Sequence, residues 1–183
     1  MNALSACLMV LALTLGASAP CEAQSAEVKA HLDAVCGRPD AYGCYANHKY
    51  GYMIAWPKLL LSPQGESDSG DGQAFASRDG RAAMACWACF SDVTGQTLKE
   101  AFGEAAGDGQ ARVTYKHLSR DFFVVSGFKE GRIFYRKTLE AHGVRASFEL
   151  SYDPALKQAF DPVVKDLARS LSIDPAFAWQ SGK

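Results

Sequence analysis

RVTYKHLSRDFFVVSGFKEGRIFYRKTLEAHGVRASFELSY, residues 112–152, is the stretch whose reading decides the fold. It divides into four runs, 112–118, 122–128, 132–139 and 144–152, each rich in Val, Ile, Phe, Tyr and Thr. Such side chains suit a pleated, half-buried surface. The separators are short and polar: Ser119-Arg120-Asp121, Lys129-Glu130-Gly131 and Ala141-His142-Gly143. Strands joined this tightly run antiparallel, because a parallel crossover takes a dozen or more residues. The stretch therefore predicts an antiparallel meander. Phe122, Phe123, Phe134, Tyr135 and Phe148 alternate with polar neighbours. Core packing accounts for them more simply than base stacking.

Upstream, Thr97-Leu98-Lys99-Glu100 opens like a capping box and predicts a helix through Ala106, stopped by Gly107-Asp108-Gly109. Before it, residues 74–77 pair with 81–90 across Arg78-Asp79-Gly80, a strong hairpin signal. A strand is expected over 50–57, closed by Pro57, and a polar connection over 63–72. Lys58-Leu59-Leu60-Leu61 reads as an apolar piece tucked under the sheet. Val28, Leu32 and Val35 carry helical spacing over 26–35, and Val163, Val164, Leu167 and Leu171 do so over 155–171. The strands cluster instead of alternating with helices. The fold class is accordingly α+β: an antiparallel sheet of about six to seven strands with helices packed on it. Residues 24–172 form a single domain, and 173–183 a loosely docked tail with Phe177 and Trp179 as anchors.

Residues 7–19 are an apolar run of signal-peptide length, too short to span a bilayer. Cys21-Glu22-Ala23 offers a small–x–small cleavage site, so residues 1–23 read as a signal peptide and the product as periplasmic or secreted. The n-region has no Lys or Arg. The net charge is −1 and no Lys/Arg run appears, which argues against nucleic acid or anionic lipid as partner. No membrane span is expected in the mature chain.

Cleavage would leave Cys36, Cys44, Cys86 and Cys89. Cys36 and Cys44 enclose Gly-Arg-Pro-Asp-Ala-Tyr-Gly, whose turn formers make them the favoured disulfide in an oxidising compartment. Four cysteines still allow three connectivities. Cys86-Trp87-Ala88-Cys89 has thioredoxin-type spacing but falls late in a strand, with no helix starting at it. Three readings stay open: structural thiols or bonds to Cys36 and Cys44, a local disulfide at a bulge, and redox or metal work.

The connection over 63–72 gathers Glu66, Asp68, Ser69 and Asp71 with Gly70 and Gly72, oxygen donors on a flexible turn that suggest Ca²⁺. Its spacing is not that of an EF-hand, and a solvated, glycine-bent connection accounts for it better. No metal or cofactor is assigned. Hydrolase, Walker-loop and dinucleotide signatures are missing, Ser126 falls inside a strand, and the four histidines are scattered.

Tyr50-Gly51-Tyr52, Trp56-Pro57, Pro63-Gln64-Gly65-Glu66-Ser67-Asp68-Ser69-Gly70-Asp71-Gly72 and Asp79-Gly80 together resemble the signature of a family of uncharacterised exported proteobacterial proteins. Val113-Thr114-Tyr115-Lys116, Phe123-Val124-Val125-Ser126-Gly127, Ile133-Phe134-Tyr135-Arg136-Lys137 and the last helix, ending Leu167-Ala168-Arg169-Ser170-Leu171, match it too. The likeness runs from about 45 to 171 and departs at Ser69, where asparagine is usual, and in the cysteine pairs. It implies a PsbP-like α/β/α sandwich, a fold used by an extrinsic photosystem II subunit and a nuclear-import factor, and it implies no activity. The functional expectation is a non-catalytic binding or assembly domain. It would meet an unknown protein or envelope component through the face near Glu66, Asp68, Ser69 and Asp71. A thiol–disulfide or other redox protein using Cys86 and Cys89 is the alternative, and a Ca²⁺-dependent module a further one.

Overall fold

The computed structural model describes residues 37–177 together with Ala30, Asp33 and Ala34. Residues 1–23, expected to be a signal peptide, most of the helix expected over 26–35, Cys36 and Trp179 lie outside these residues.

Four strands carry the 112–152 stretch: β6 (Ala111–Leu118), β7 (Phe122–Lys129), β8 (Arg132–Ala141) and β9 (Val144–Tyr152). The β7–β8 and β8–β9 connections are two-residue turns with both residues at positive φ: Glu130 at 51° and Gly131 at 76°, His142 at 52° and Gly143 at 75°. That backbone matches the right-handed twist of the flanking strands, so the turns set the registers Lys129↔Arg132 and Ala141↔Val144. Upstream lie β1 (Tyr42–Asn47), β2 (Tyr52–Pro57), β3 (Ser62–Glu66), β4 (Gly72–Ala76) and β5 (Ala82–Phe90). The seven-stranded sheet has the order β3-β4-β5-β9-β8-β7-β6, with every pair antiparallel. A second sheet has the order β1-β2-β10, where β10 is Ser172–Ile173.

Helix α1 (Leu98–Ala106) begins at Thr97, whose side chain accepts from Glu100 N while the Glu100 carboxylate accepts from Thr97 N, a complete capping box. It lays Leu98, Ala101, Phe102 and Ala105 on Phe123, Val125 and Phe134 of the large sheet. On the opposite face β5 and β9 present Met84, Cys86, Ala88, Phe148 and Leu150 to a larger core. That core is closed by the small sheet (Tyr52, Ile54) and by α2 (Lys157–Ser170), through Phe160, Val163 and Leu167. The layers are helix, sheet, and a mixed layer of helix and small sheet. Ser170 Oγ accepts from Ala55 N (2.9 Å) and stitches α2 to β2. Asp166, 8% exposed, accepts from Tyr42 Oη (2.7 Å), Arg38 Nη2 (2.7 Å) and Arg169, tying α2 to β1 and its approach.

Three strands went unforeseen. β1 takes up residues 42–47, including Cys44. β3 occupies the first half of the expected polar connection, so that 63–72 is a β-hairpin. β10 pairs with β2 at Met53 and Tyr52. Beyond it, Asp174 N donates to Gly51 O (2.8 Å), and the Phe177 ring lies where a Cβ on Gly51 would fall.

Candidate functional site

The acidic hairpin is held mainly by its own groups. Ser67 N donates to Gly72 O (2.9 Å) and Gly70 N to Ser67 O (2.9 Å). Ser67 Oγ donates to the Asp71 carboxylate and accepts from Asp71 N (3.1 Å). The Ser67 and Ser69 hydroxyls beside it hold the Asp71 carboxyl below the usual range. From the small sheet, Asn47 Nδ2 donates to Gly70 O (3.1 Å) and Lys49 Nζ to Ser69 O (2.8 Å). Tyr45 Oη donates to Glu66 Oε1 (2.9 Å), and burial pushes this phenol up to about 12. Glu66, Asp68 and Ser69 are exposed. Among the described residues no group of three acidic, histidine or cysteine side chains converges as a cation cage. At Gly72 the chain passes so close to β5 that a Cβ would sit 1.9 Å from Cys86 O.

Cys86 and Cys89 are not brought together. β5 pairs with β9 in unbroken register from Ala82↔Tyr152 to Phe90↔Val144. Residues three apart in a regular strand point to opposite faces. The bulge that would unite the two sulfurs is therefore missing, which corrects the reading of a local disulfide there. Burial pushes the Cys86 thiol up to about 11 and raises that of Cys89 as well. A thioredoxin-type nucleophile has the opposite shift. Cys36 lies outside the described residues, so its pairing with Cys44 is not seen.

Sequence reasoning missed a cleft of about 500 Å³ on the α1 side of the large sheet. Helix α1 covers the β6–β7 end, and the middle strands there carry polar side chains. The cross-strand pairs Arg136↔Glu149, Thr138↔Ser147 and Glu140↔Arg145 form three rows on β8 and β9. Trp87 and Cys89 extend two of those rows onto β5. Thr138 and Ser147 are buried and share a 2.8 Å hydrogen bond. Arg145, 6% exposed, donates to Glu140 Oε2 (2.6 Å) and to Gln96 O (2.7 Å).

Arg136 differs from Arg145. Its guanidinium lies 5.1 Å from the Trp87 ring centroid, and its Nε is shielded from solvent with no hydrogen-bond acceptor. Burial lowers its pKa, opposed by the charges of Glu149 and Glu104. A shielded donor without an acceptor costs about 1–3 kcal/mol. Buried polar rows on a central sheet face are likewise unfavourable unless satisfied. The signal available in sequence was the alternation Arg136, Thr138, Glu140 and Arg145, Ser147, Glu149 on two neighbouring strands. Alternation places each set on one face of its own strand; the register that joins the two sets, and α1 stopping short of covering them, are tertiary.

No protein-family model matches the chain, and the search of curated proteins returned no match. Among solved structures, the solution structure of cyanobacterial PsbP (CyanoP) from Synechocystis sp. PCC 6803 matches with a TM-score of 0.51 and 15% identity. The match covers 73% of this chain and 93% of that one. The chain therefore has a PsbP-like fold. Likeness at this identity defines the fold and no more.

Proposed function

We propose that the protein is an exported, non-catalytic binding domain, periplasmic or secreted, whose ligand seats in the cleft between α1 and the central strands. The observation that carries the reading is the half-buried Arg136 guanidinium on a polar cleft floor, whose Nε is shielded and has no acceptor. The Trp87 ring and the charges of Glu149 and Glu104 offset part of its desolvation, but none of them gives Nε an acceptor, which a ligand would supply. The non-catalytic part is supported by the state of the reactive groups. The thiols sit on opposite faces with raised pKa values. Ser126 Oγ donates to Phe134 O (2.7 Å) in mid-strand. His48, His117 and His142 are exposed, with His117 tilted against Phe122. Export is supported by the leader pattern of residues 1–23. Among the described residues no helix is long and apolar enough to cross a membrane.

A second surface goes with this reading. β3 is an edge strand exposed at all five residues and carries the hairpin with Glu66, Asp68, Ser69 and Asp71. An exposed edge is a template for another chain. We assign contact with a protein or envelope component to it, and a Cys36–Cys44 disulfide to the approach of β1.

Amide NMR spectra titrated with the small-molecule fraction of an envelope extract test the proposal. Shifts at the Trp87 indole, Thr138 and Ser147, with the extract chemically unchanged, are the expected result. Shifts confined to residues 67–72 would move the site to the hairpin, and consumption of an extract component would overturn the non-catalytic reading.

A further inference from the structure

We infer that the cleft takes a small zwitterion, a molecule with one carboxylate and one ammonium group of α-amino acid or dipeptide size. The inference rests on the reading of this cleft as the binding site, and it comes from pairing off the charges that line it. Lys129 Nζ is held by Asp108 Oδ2 at 2.9 Å, and Arg145 by Glu140 at 2.6 Å. Three charged side chains are left over: Arg136, Glu104 and Glu149. Among the described residues neither of these two carboxylates takes part in an ion pair, although both act on the charge of Arg136.

This remainder has a definite complement. A purely anionic ligand would satisfy Arg136 but meet the half-buried carboxylate of Glu149 and the exposed one of Glu104, neither held in an ion pair. A purely cationic one would satisfy the carboxylates and leave the guanidinium without an acceptor. Only a ligand with both charges matches both sets. The carboxylate would pair with Arg136, whose planar fork suits it. The ammonium would lie toward Glu104 and Glu149, with the Thr138–Ser147 hydroxyl pair on the floor between the strands. Ala101 and Ala105, both half-buried, supply apolar lining for a side chain. A volume of about 500 Å³ lies within the usual range of small-ligand sites.

The test titrates the purified protein with three probes: L-leucine, N-acetyl-L-leucine, which lacks the ammonium, and L-leucinamide, which lacks the carboxylate. The Trp87 indole amide signal reports cleft occupancy, and Trp87→Phe assigns it. L-leucine is expected to shift it saturably, with either charge-deleted probe at least tenfold weaker. Arg136→Met should weaken L-leucine tenfold or more while the protein stays folded by its amide spectrum. Equal binding of N-acetyl-L-leucine would overturn the zwitterion inference and leave the cleft standing as an anion site. No Trp87 shift with any probe would also overturn it. If the envelope extract still shifts the same signals, the cleft reading survives; if it does not, both fall.

Discussion

Replacing Arg136 with methionine should stabilise the fold, and the reasoning behind the cleft depends on that sign. The guanidinium Nε is shielded and has no acceptor. Removing it relieves about 1–3 kcal/mol. Its contact with Trp87, centroid distance 5.1 Å, and its screened attraction to Glu149 and Glu104 are lost, at a combined cost of ~0.5–2 kcal/mol. Methionine keeps most of the apolar stem over the sheet. The balance is a gain of ~1 kcal/mol, or about 2–4 °C in Tm for a domain of this size. Arg145 is the internal control, since it lies on the same face, is more deeply buried, and is bonded to Glu140 and Gln96. Arg145→Met leaves the Glu140 carboxylate without its partner and should cost about 3 kcal/mol. Urea unfolding of the three proteins at pH 7 measures both differences. A loss of 1 kcal/mol or more in Arg136→Met would show that the guanidinium is satisfied within the fold, and the argument for a ligand would fail.

Asp166→Asn should lower stability by about 2 kcal/mol at pH 7, because the carboxylate serves three donors. Burial alone would raise the pKa of Asp166, but Tyr42, Arg169 and Arg38 outweigh it and hold the carboxyl below its usual value. A depressed native pKa gives stability that is full above the unfolded value, about 3.9, and lost as pH falls through the lower native value. Urea midpoints between pH 7 and pH 2.5 should therefore fall more steeply in acid for the wild type than for the variant; parallel curves would refute this. Gly72→Ala should cost ~3 kcal/mol by forcing β4 away from Cys86 O, and a thermal midpoint within a degree of the wild type would contradict that close approach. Under mild native oxidation followed by peptide mass mapping, no Cys86–Cys89 bond should form, and Cys86 should resist iodoacetamide at pH 7.5 until urea is added. Recovery of a disulfide-linked 86–89 peptide from folded protein would mean that β5 is not the regular strand described.

The meander, the hairpin at Asp79-Gly80 and the α1 capping box were legible because each is encoded locally. Strand residues alternate along one run, a turn needs its own glycine, and a cap needs a threonine and a glutamate three apart. β3 was not legible: it is exposed on both sides, so no apolar alternation marks it, and Pro63 and Gly65 read as loop residues. β10 has two residues and exists only because β2 lies beside it. The acidic hairpin stood out as composition, yet its groups are largely bonded to one another. The C-x-x-C stood out as a motif, yet the pleat sends its thiols apart.

By itself the sequence determined the α+β class and the meander with its short polar turns. It could do so because pleat and turn act between residues adjacent in the chain. Only the tertiary structure decided that β5 pairs with β9, that α1 sits over β6 and β7, and that the polar rows between them therefore line a cleft. Those outcomes depend on which apolar surfaces, distant in sequence, bury one another best. The same packing left one arginine of the floor with its Nε unbonded and gave the other a carboxylate, a difference that two identical residue types nine apart cannot announce.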